Sequence, residues 1–343
     1  MLRELTEING VSGDEGRVRK YIKEKITPLC DDIKVDSMGN MIALKKGTGE
    51  TRHKIMVCAH MDEVGFIVSD ITADGFVKFK PVGGIDKRIL LTQRVVIDDV
   101  RGSVDGVIGI KAVHLQTADE RKKVVPMDSL YVDIGAKDKA DALKYVAKGD
   151  SISFNSDYAE FGDGCIKAKA LDDRAGCAML IRLMQLSCES DIYFCFNTQE
   201  EVGLRGVRIA AHRLGADIAF VLESTTAADI PFVDDCLRCS VQGEGPVISL
   251  LDRASCSDKY LNSFVIDAAK KHGIKYQLKK TVNGGNDAGA IQTSANAVRT
   301  CAVSLPCRYI HSPVSTVKKA DIEDMYKLMK CVLEEINDFC AKE

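Results

Sequence analysis

Residues 54–62 read KIMVCAHMD: a short, nearly all-apolar run that delivers a histidine and an aspartate at its end. Apolar residues without alternation are the mark of a strand buried on both faces. Two further runs behave alike. "IYFCFN" (192–197) leads into Thr198-Gln199-Glu200-Glu201, and "IAFVL" (218–222) leads into Glu223. In open α/β sheets ligands bind at the carboxyl ends of strands, so three arrivals of imidazole or acid mark one edge of a sheet as a site.

The rest of the chain supports a sheet covered by helices. Helices are expected near 173–186, 205–214, 257–272 and 318–341. They alternate with strands at "DIYFCFN", "DIAFVLE", "LRCSVQ" and "AVRTCAVSL". Upstream, Ser12 and Glu15 form a capping-box pattern, with Val18, Ile22 and Ile26 on one face of the helix that follows. "DDIKVDSMGNMIALKKG" reads as a hairpin turning at Met38-Gly39-Asn40. Between about 64 and 160 the texture changes to short strand-like runs broken by glycine, such as "FVKFKPVGG" and "QRVVIDD", with one helix around Lys139–Ala147. The expectation is an α/β fold: a central mixed sheet with helices on both faces, formed by residues 1–63 and 161–343, with a small β-rich domain, 64–160, inserted into it. No internal repeat or low-complexity stretch interrupts this pattern.

Composition narrows the function. The 343 residues are 45% hydrophobic and 28% charged, with a formal net charge of -3. No basic patch or polybasic tail stands out, so neither nucleic acid nor an anionic membrane is an expected partner. The thirteen cysteines sit mostly inside apolar runs, which reads as buried thiols in a reducing compartment. Cys236-x-x-Cys239 has no second CxxC to complete a structural zinc site and reads as chance. The N-terminus lacks an apolar signal region, and no apolar run reaches the 18 or more residues of a membrane span. A soluble, cytoplasmic protein is expected.

Five places carry candidate chemistry: His60 with Asp62, Asp172 in "ALDDRAG", Glu200 with Glu201, Glu223, and His311 in "RYIHSPVS". Each has an ordinary reading alone. Asp172 and Asp173 could cap a helix, Glu200 and Glu201 could be a solvated turn, and a lone histidine is usually packing or surface. Together, three carboxylates and two imidazoles make a ligand set for zinc, cobalt or manganese. Two divalent ions bring four positive charges, which Asp172, Glu201, Glu223 and one hydroxide would neutralise. In His60-x-Asp62 both side chains fall on one side, so Asp62 could accept the second ring N–H of His60. Of the adjacent glutamates, one can bind metal while the other serves as general base. "GGNDAG" (284–289) lacks the lysine and hydroxyl of a phosphate loop and reads as a glycine-rich turn. His53, His114, His212 and His272 have no partner pattern.

These motifs resemble the TET-type aminopeptidases, also known as glutamyl aminopeptidases or "cellulase M" proteins. The resemblance is carried by "NGVSGDEGRVRKYI", "AHMDEVGFIV", "PVGGIDKRILLTQRV", "GVIGIKAVHL", "AKALDDRAGC", "TQEEVGLRGV", "LESTTAADIP", "GGNDAGAIQ" and "RYIHSPVS", in family order from residue 9 to 315. It implies a zinc-peptidase type of fold whose inserted β-rich domain mediates dimerisation, and dimers that assemble into hollow dodecamers. It implies two divalent ions per subunit, zinc or cobalt with manganese as a third option, held by His60, Asp172, Glu201, Glu223 and His311, with Asp172 bridging. It implies Glu200 as general base and Asp62 behind His60, acting on peptides with a free N-terminus. Many relatives carry aspartate at the position of Glu223. Other expectations are a deacylase, carboxypeptidase or dipeptidase on the same fold, and a glycosidase, which would need two positioned carboxylates and no metal.

Overall fold

The computed structural model describes residues 1–50, 52–294 and 297–341, and leaves aside the side chain of Asp99. The chain lays down β1 (Asp32–Val35), β2 (Met41–Lys45) and β3 (Lys54–His60). It then leaves for β4 (Gly65–Ile71), β5 (Val77–Val82), β6 (Arg94–Asp99), β7 (Gly102–Gly109), β8 (Tyr131–Asp133) and β9 (Ser151–Phe154). After β10 (Ala159–Phe161) and β11 (Cys165–Ala168) it returns with β12 (Asp191–Asn197), β13 (Ile218–Thr226), β14 (Val247–Ser249), β15 (Gln277–Leu278) and β16 (Arg299–Cys307), and ends its strands with β17 (Ser315–Lys318).

The main sheet has the order β1-β2-β12-β3-β13-β16-β14-β15. β3 lies between β12 and β13 and runs parallel to both, while β12 pairs with β2 antiparallel, so the sheet is mixed. The opening stretch explains its own burial. Ile55, Val57 and Ala59 join one apolar cluster, with helices 16–26, 171–183, 259–271 and 319–340. Met56 and Cys58 join another, with helices 205–214 and 287–292. A strand whose alternate residues must both meet helices has no use for polar alternation. The expected α/β architecture with helices on both faces is therefore the observed one. Strands β4 to β9 close into an antiparallel barrel with its own core, including Phe66, Val132 and Phe154. No helix among the described residues is long and apolar enough to cross a membrane.

Local expectations fared unevenly. Helices Arg205–Leu214 and Lys319–Cys340 fall where periodicity places them, and Val18, Ile22 and Ile26 are fully buried. The capping box does not form. Ser12 Oγ donates to Asp62 at 2.6 Å, and Glu15 Oε1 accepts from the amides of Gly13 and Gln199, so both side chains serve tertiary contacts. "LRCSVQ" is not a strand. Its backbone at Val241 is satisfied in both directions by the side-chain amide of Gln277, which takes the place of a ladder. The helix expected over 139–147 ends at Ala142. The short helix Asp287–Gln292, inside the glycine-rich stretch, has too little periodicity to read in advance.

Candidate metal centre

β3 ends at His60, which is 1% exposed. Its Nδ1 lies 3.0 Å from the carbonyl of Asp62 and 3.4 Å from Asp62 Oδ1. Donation from Nδ1 to that carbonyl leaves a lone pair on Nε2. Nε2 lies 3.3 Å from Asp172 Oδ1 and 3.3 Å from Glu223 Oε1. His311 repeats the pattern from the other side. Its Nδ1 is 3.1 Å from the carbonyl of Gly84, and its Nε2 is 3.3 Å from Asp172 Oδ2 and 3.3 Å from Glu201 Oε2.

Asp172 thus presents one oxygen to His60 and the other to His311. Ligand atoms around a tetrahedral zinc, with bonds of about 2.0 Å, stand about 3.3 Å apart. Each histidine–carboxylate pair has that edge length. Asp172 Oδ1 is buried with no hydrogen bond to satisfy it. His60, Asp172 and Glu201 form one group whose ligand atoms lie within 4.8 Å of one another, and His60, Asp173 and Glu223 form a second. The residues present fit divalent cations in the observed geometry.

Charge argues the same way. Burial pushes Glu201 up to about 7 and Glu223 up to about 8, with the charge of Asp172 adding to each. Burial also raises Glu200 well above the usual carboxylate range. Asp172 moves the other way: against the cost of burial, His311 and His60 hold it well below that range. Burial opposes a charge on His60, yet Glu223, Asp172 and Asp62 outweigh it and raise the ring well above its ordinary value. His311 is raised to about 9, because Asp172 and Glu201 outweigh its burial. So many acids in one buried place demand positive charge, which two protonated imidazoles supply poorly and metal ions supply well.

The loops are shaped for this cluster. Asp172 is not a helix cap: its backbone is extended, at φ -86 and ψ 108, and the cap is Asp173, whose Oδ1 accepts from Gly176 N at 3.0 Å. Asp173 Oδ2 also accepts from His60 N. The Asp62 carboxylate does more than stand near His60. It accepts from Ser12 Oγ, from Glu200 N at 3.0 Å and from Glu201 N at 3.1 Å, so it holds the glutamate pair in place. Ala170, Gln199, Leu204, Tyr309 and His311 all have positive φ without being glycine, and all flank these loops. Backbone in that region costs energy and gathers at functional sites. Glu223 sits inside β13, not at its end, because the strand continues to Thr226.

Sequence reading missed three contributors. Gly83, at φ +82, lies against Glu201, and a Cβ there would meet Val64 at 2.8 Å; with Gly84 it backs one half of the cluster from the barrel side. Asp287, raised to about 6 by burial, accepts from Asn197 at 2.8 Å just before the glutamate loop. A cleft of about 610 Å3 opens beside His60, Asp172, Glu200, Glu201, Glu223 and His311. The four other histidines lie outside its lining.

The family model for M42 glutamyl aminopeptidase matches residues 39–328. The lysyl aminopeptidase of Pyrococcus furiosus is 31% identical over 342 residues, 98% of this chain and 96% of that one. The TET aminopeptidase structure from Thaumarchaeota archaeon SCGC AB-539-E09 superposes with a TM-score of 0.94 at 34% identity, covering 98% of this chain and 95% of that one. The TET1 peptidase of Pyrococcus horikoshii, which can assemble into a tetrahedron or a large octahedral shell, superposes with a TM-score of 0.87 at 35% identity, covering 97% and 98%. The chain belongs to the M42 glutamyl aminopeptidase family and is an exopeptidase hydrolase of that family.

Proposed function

We propose that this protein removes N-terminal residues from peptides, using two divalent ions held by His60, Asp172, Glu201, Glu223 and His311, with Asp172 shared between them. The observation that carries this reading is the placement of the two Asp172 oxygens, each 3.3 Å from a different histidine Nε2. Zinc or cobalt suits the mixed nitrogen and oxygen set, and manganese is compatible with it. Bound there, the ions supply Lewis-acid polarisation of the scissile carbonyl and lower the pKa of water from 15.7 towards roughly 7. Glu200 takes the proton of the attacking water and returns it to the departing amine. Asp62 positions Glu200 and Glu201 through their amides, and its carbonyl orients His60. Acidic groups left over in the cleft attract the substrate's free α-ammonium.

The other amide hydrolases expected on this fold separate by one experiment. Peptides with free and acetylated N-termini are incubated with enzyme stripped by chelator and then resupplied with zinc, cobalt or manganese. Activity should vanish on stripping, return with metal, and be confined to the free N-terminus. Equal cleavage of the acetylated peptide would point to a deacylase or carboxypeptidase. Peptide cleavage that survives chelation would overturn the metal-dependent reading.

We also infer that residues 64–160 form a self-association domain and that the protein works in the cytoplasm as a dimer-based assembly, up to a dodecamer. Val113, Leu115 and Val124 lie between β7 and β8 and are at least half exposed, which favours burial against a second copy. Leu115→Lys should reduce the assembly to smaller species in light scattering, leaving the far-UV spectrum unchanged. An unaltered mass would remove this face from the interface.

A further inference from the structure

Beyond the metal cluster, the cleft is walled by the segment after β15. Lys279 N donates to Ile248 O at 3.0 Å and Lys280 N to Cys239 O at 3.2 Å, so the backbone is anchored here. Lys279 and Thr281 both line the cleft with the candidate metal cluster, while Lys280 between them does not. Lys279 is half-buried and has no ion-pair or hydrogen-bond partner for its ammonium among the described residues. It is the one lysine or arginine in the described lining of this cleft. Thr281 Oγ1 is buried and likewise without a partner. Buried lysines elsewhere are provided for: Lys169 is paired with both oxygens of Glu63.

We propose that Lys279, with Thr281 beside it, is a specificity-determining receptor for a carboxylate of the substrate. The inference rests on the aminopeptidase reading of the cleft. A buried hydroxyl is costly while unpaired, and a carboxylate would satisfy it and the unpartnered lysine beside it with charge-assisted hydrogen bonds. An apolar group in the same place would leave both unpaired, so discrimination comes from the penalty as much as from the contact. The carboxylate has two sources in a peptide substrate: the side chain of an N-terminal glutamate or aspartate, or the C-terminus of a short peptide.

The test compares metal-loaded wild type with Lys279→Ala and Lys279→Arg on two sets of substrates. One set is the p-nitroanilides of glutamate, aspartate and leucine. The other is a leucyl tripeptide and its C-terminal amide. Lys279→Ala should lower kcat/KM by roughly 10- to 100-fold on the carboxylate-bearing substrates, mostly through KM, and leave the leucine anilide and the tripeptide amide unchanged. Lys279→Arg should recover part of the loss. A loss on the acidic anilides identifies the side chain as the source, and a loss on the free tripeptide identifies the C-terminus. A uniform loss on every substrate would mean that Lys279 only offsets the acidic cluster, and would overturn the proposal. So would a Lys279→Ala variant equal to wild type, with the aminopeptidase reading left standing. Wild type inactive on all five substrates would overturn that reading and the proposal with it.

Discussion

Asp172→Asn is expected to lose peptide turnover by on the order of 10^3-fold or more, together with the ability to hold two ions. The amide offers one acceptor oxygen where the carboxylate offers two, and both Asp172 oxygens face a histidine–carboxylate pair. The same variant distinguishes the metal reading from the helix-cap reading. Loss of a cap costs about 1 kcal/mol of stability. Asp172 makes no cap hydrogen bond, and that task belongs to Asp173. Metal-free Asp172→Asn should melt below metal-free wild type for a different reason, because it removes the carboxylate that His60 and His311 hold ionised, so the ion count decides the bridge. Elemental analysis and thermal melting in chelator measure the two effects separately. A variant that keeps two ions and normal activity would refute the bridge.

Glu200→Gln is expected to keep its ions and lose turnover by about 10^2- to 10^4-fold, the range of general acid–base catalysis. Glu200 lines the cleft, and it is held through its backbone amide on Asp62, an anchor that Gln retains. Gln is also nearly isosteric, so the fold has no reason to respond. Glu201→Gln should behave differently and lose metal affinity, because Glu201 Oε2 is 3.3 Å from His311 Nε2. Calorimetric metal titration of both variants, beside single-turnover kinetics, checks the division of labour. If Glu200→Gln sheds an ion while Glu201→Gln keeps both, the two roles are exchanged.

Much of the architecture was legible in the chain because its signals are local. Val18, Ile22 and Ile26 report a helix face wherever they are placed, and KIMVCAH reports a doubly covered strand. The residues of the candidate site were also legible, since β3, β12 and β13 each lead an acid or imidazole towards one sheet edge. Signals failed where a side chain had a distant competitor. Ser12 and Glu15 match a cap by spacing, but Asp62 and the Gln199 amide claim them. Residues 237–242 match a strand by composition, but the side chain of Gln277 replaces the neighbour it would need.

The sequence by itself pointed to His60, Asp172, Glu201, Glu223 and His311 as a candidate ligand set, and to a mixed sheet flanked by helices. Only the tertiary structure decided how these residues meet. It separated Asp172 from Asp173 by giving the helix cap to one and leaving an oxygen of the other unsatisfied. It moved the main hydrogen bond of His60 from the carboxylate of Asp62 to its carbonyl, and freed that carboxylate to hold the glutamate pair. It brought Gly84, from the barrel side, to His311 across 227 positions of chain. Residue type and spacing carry the chemistry a side chain can do, and a hydrogen bond 3 Å long between distant segments decides which of two equivalent acids does it.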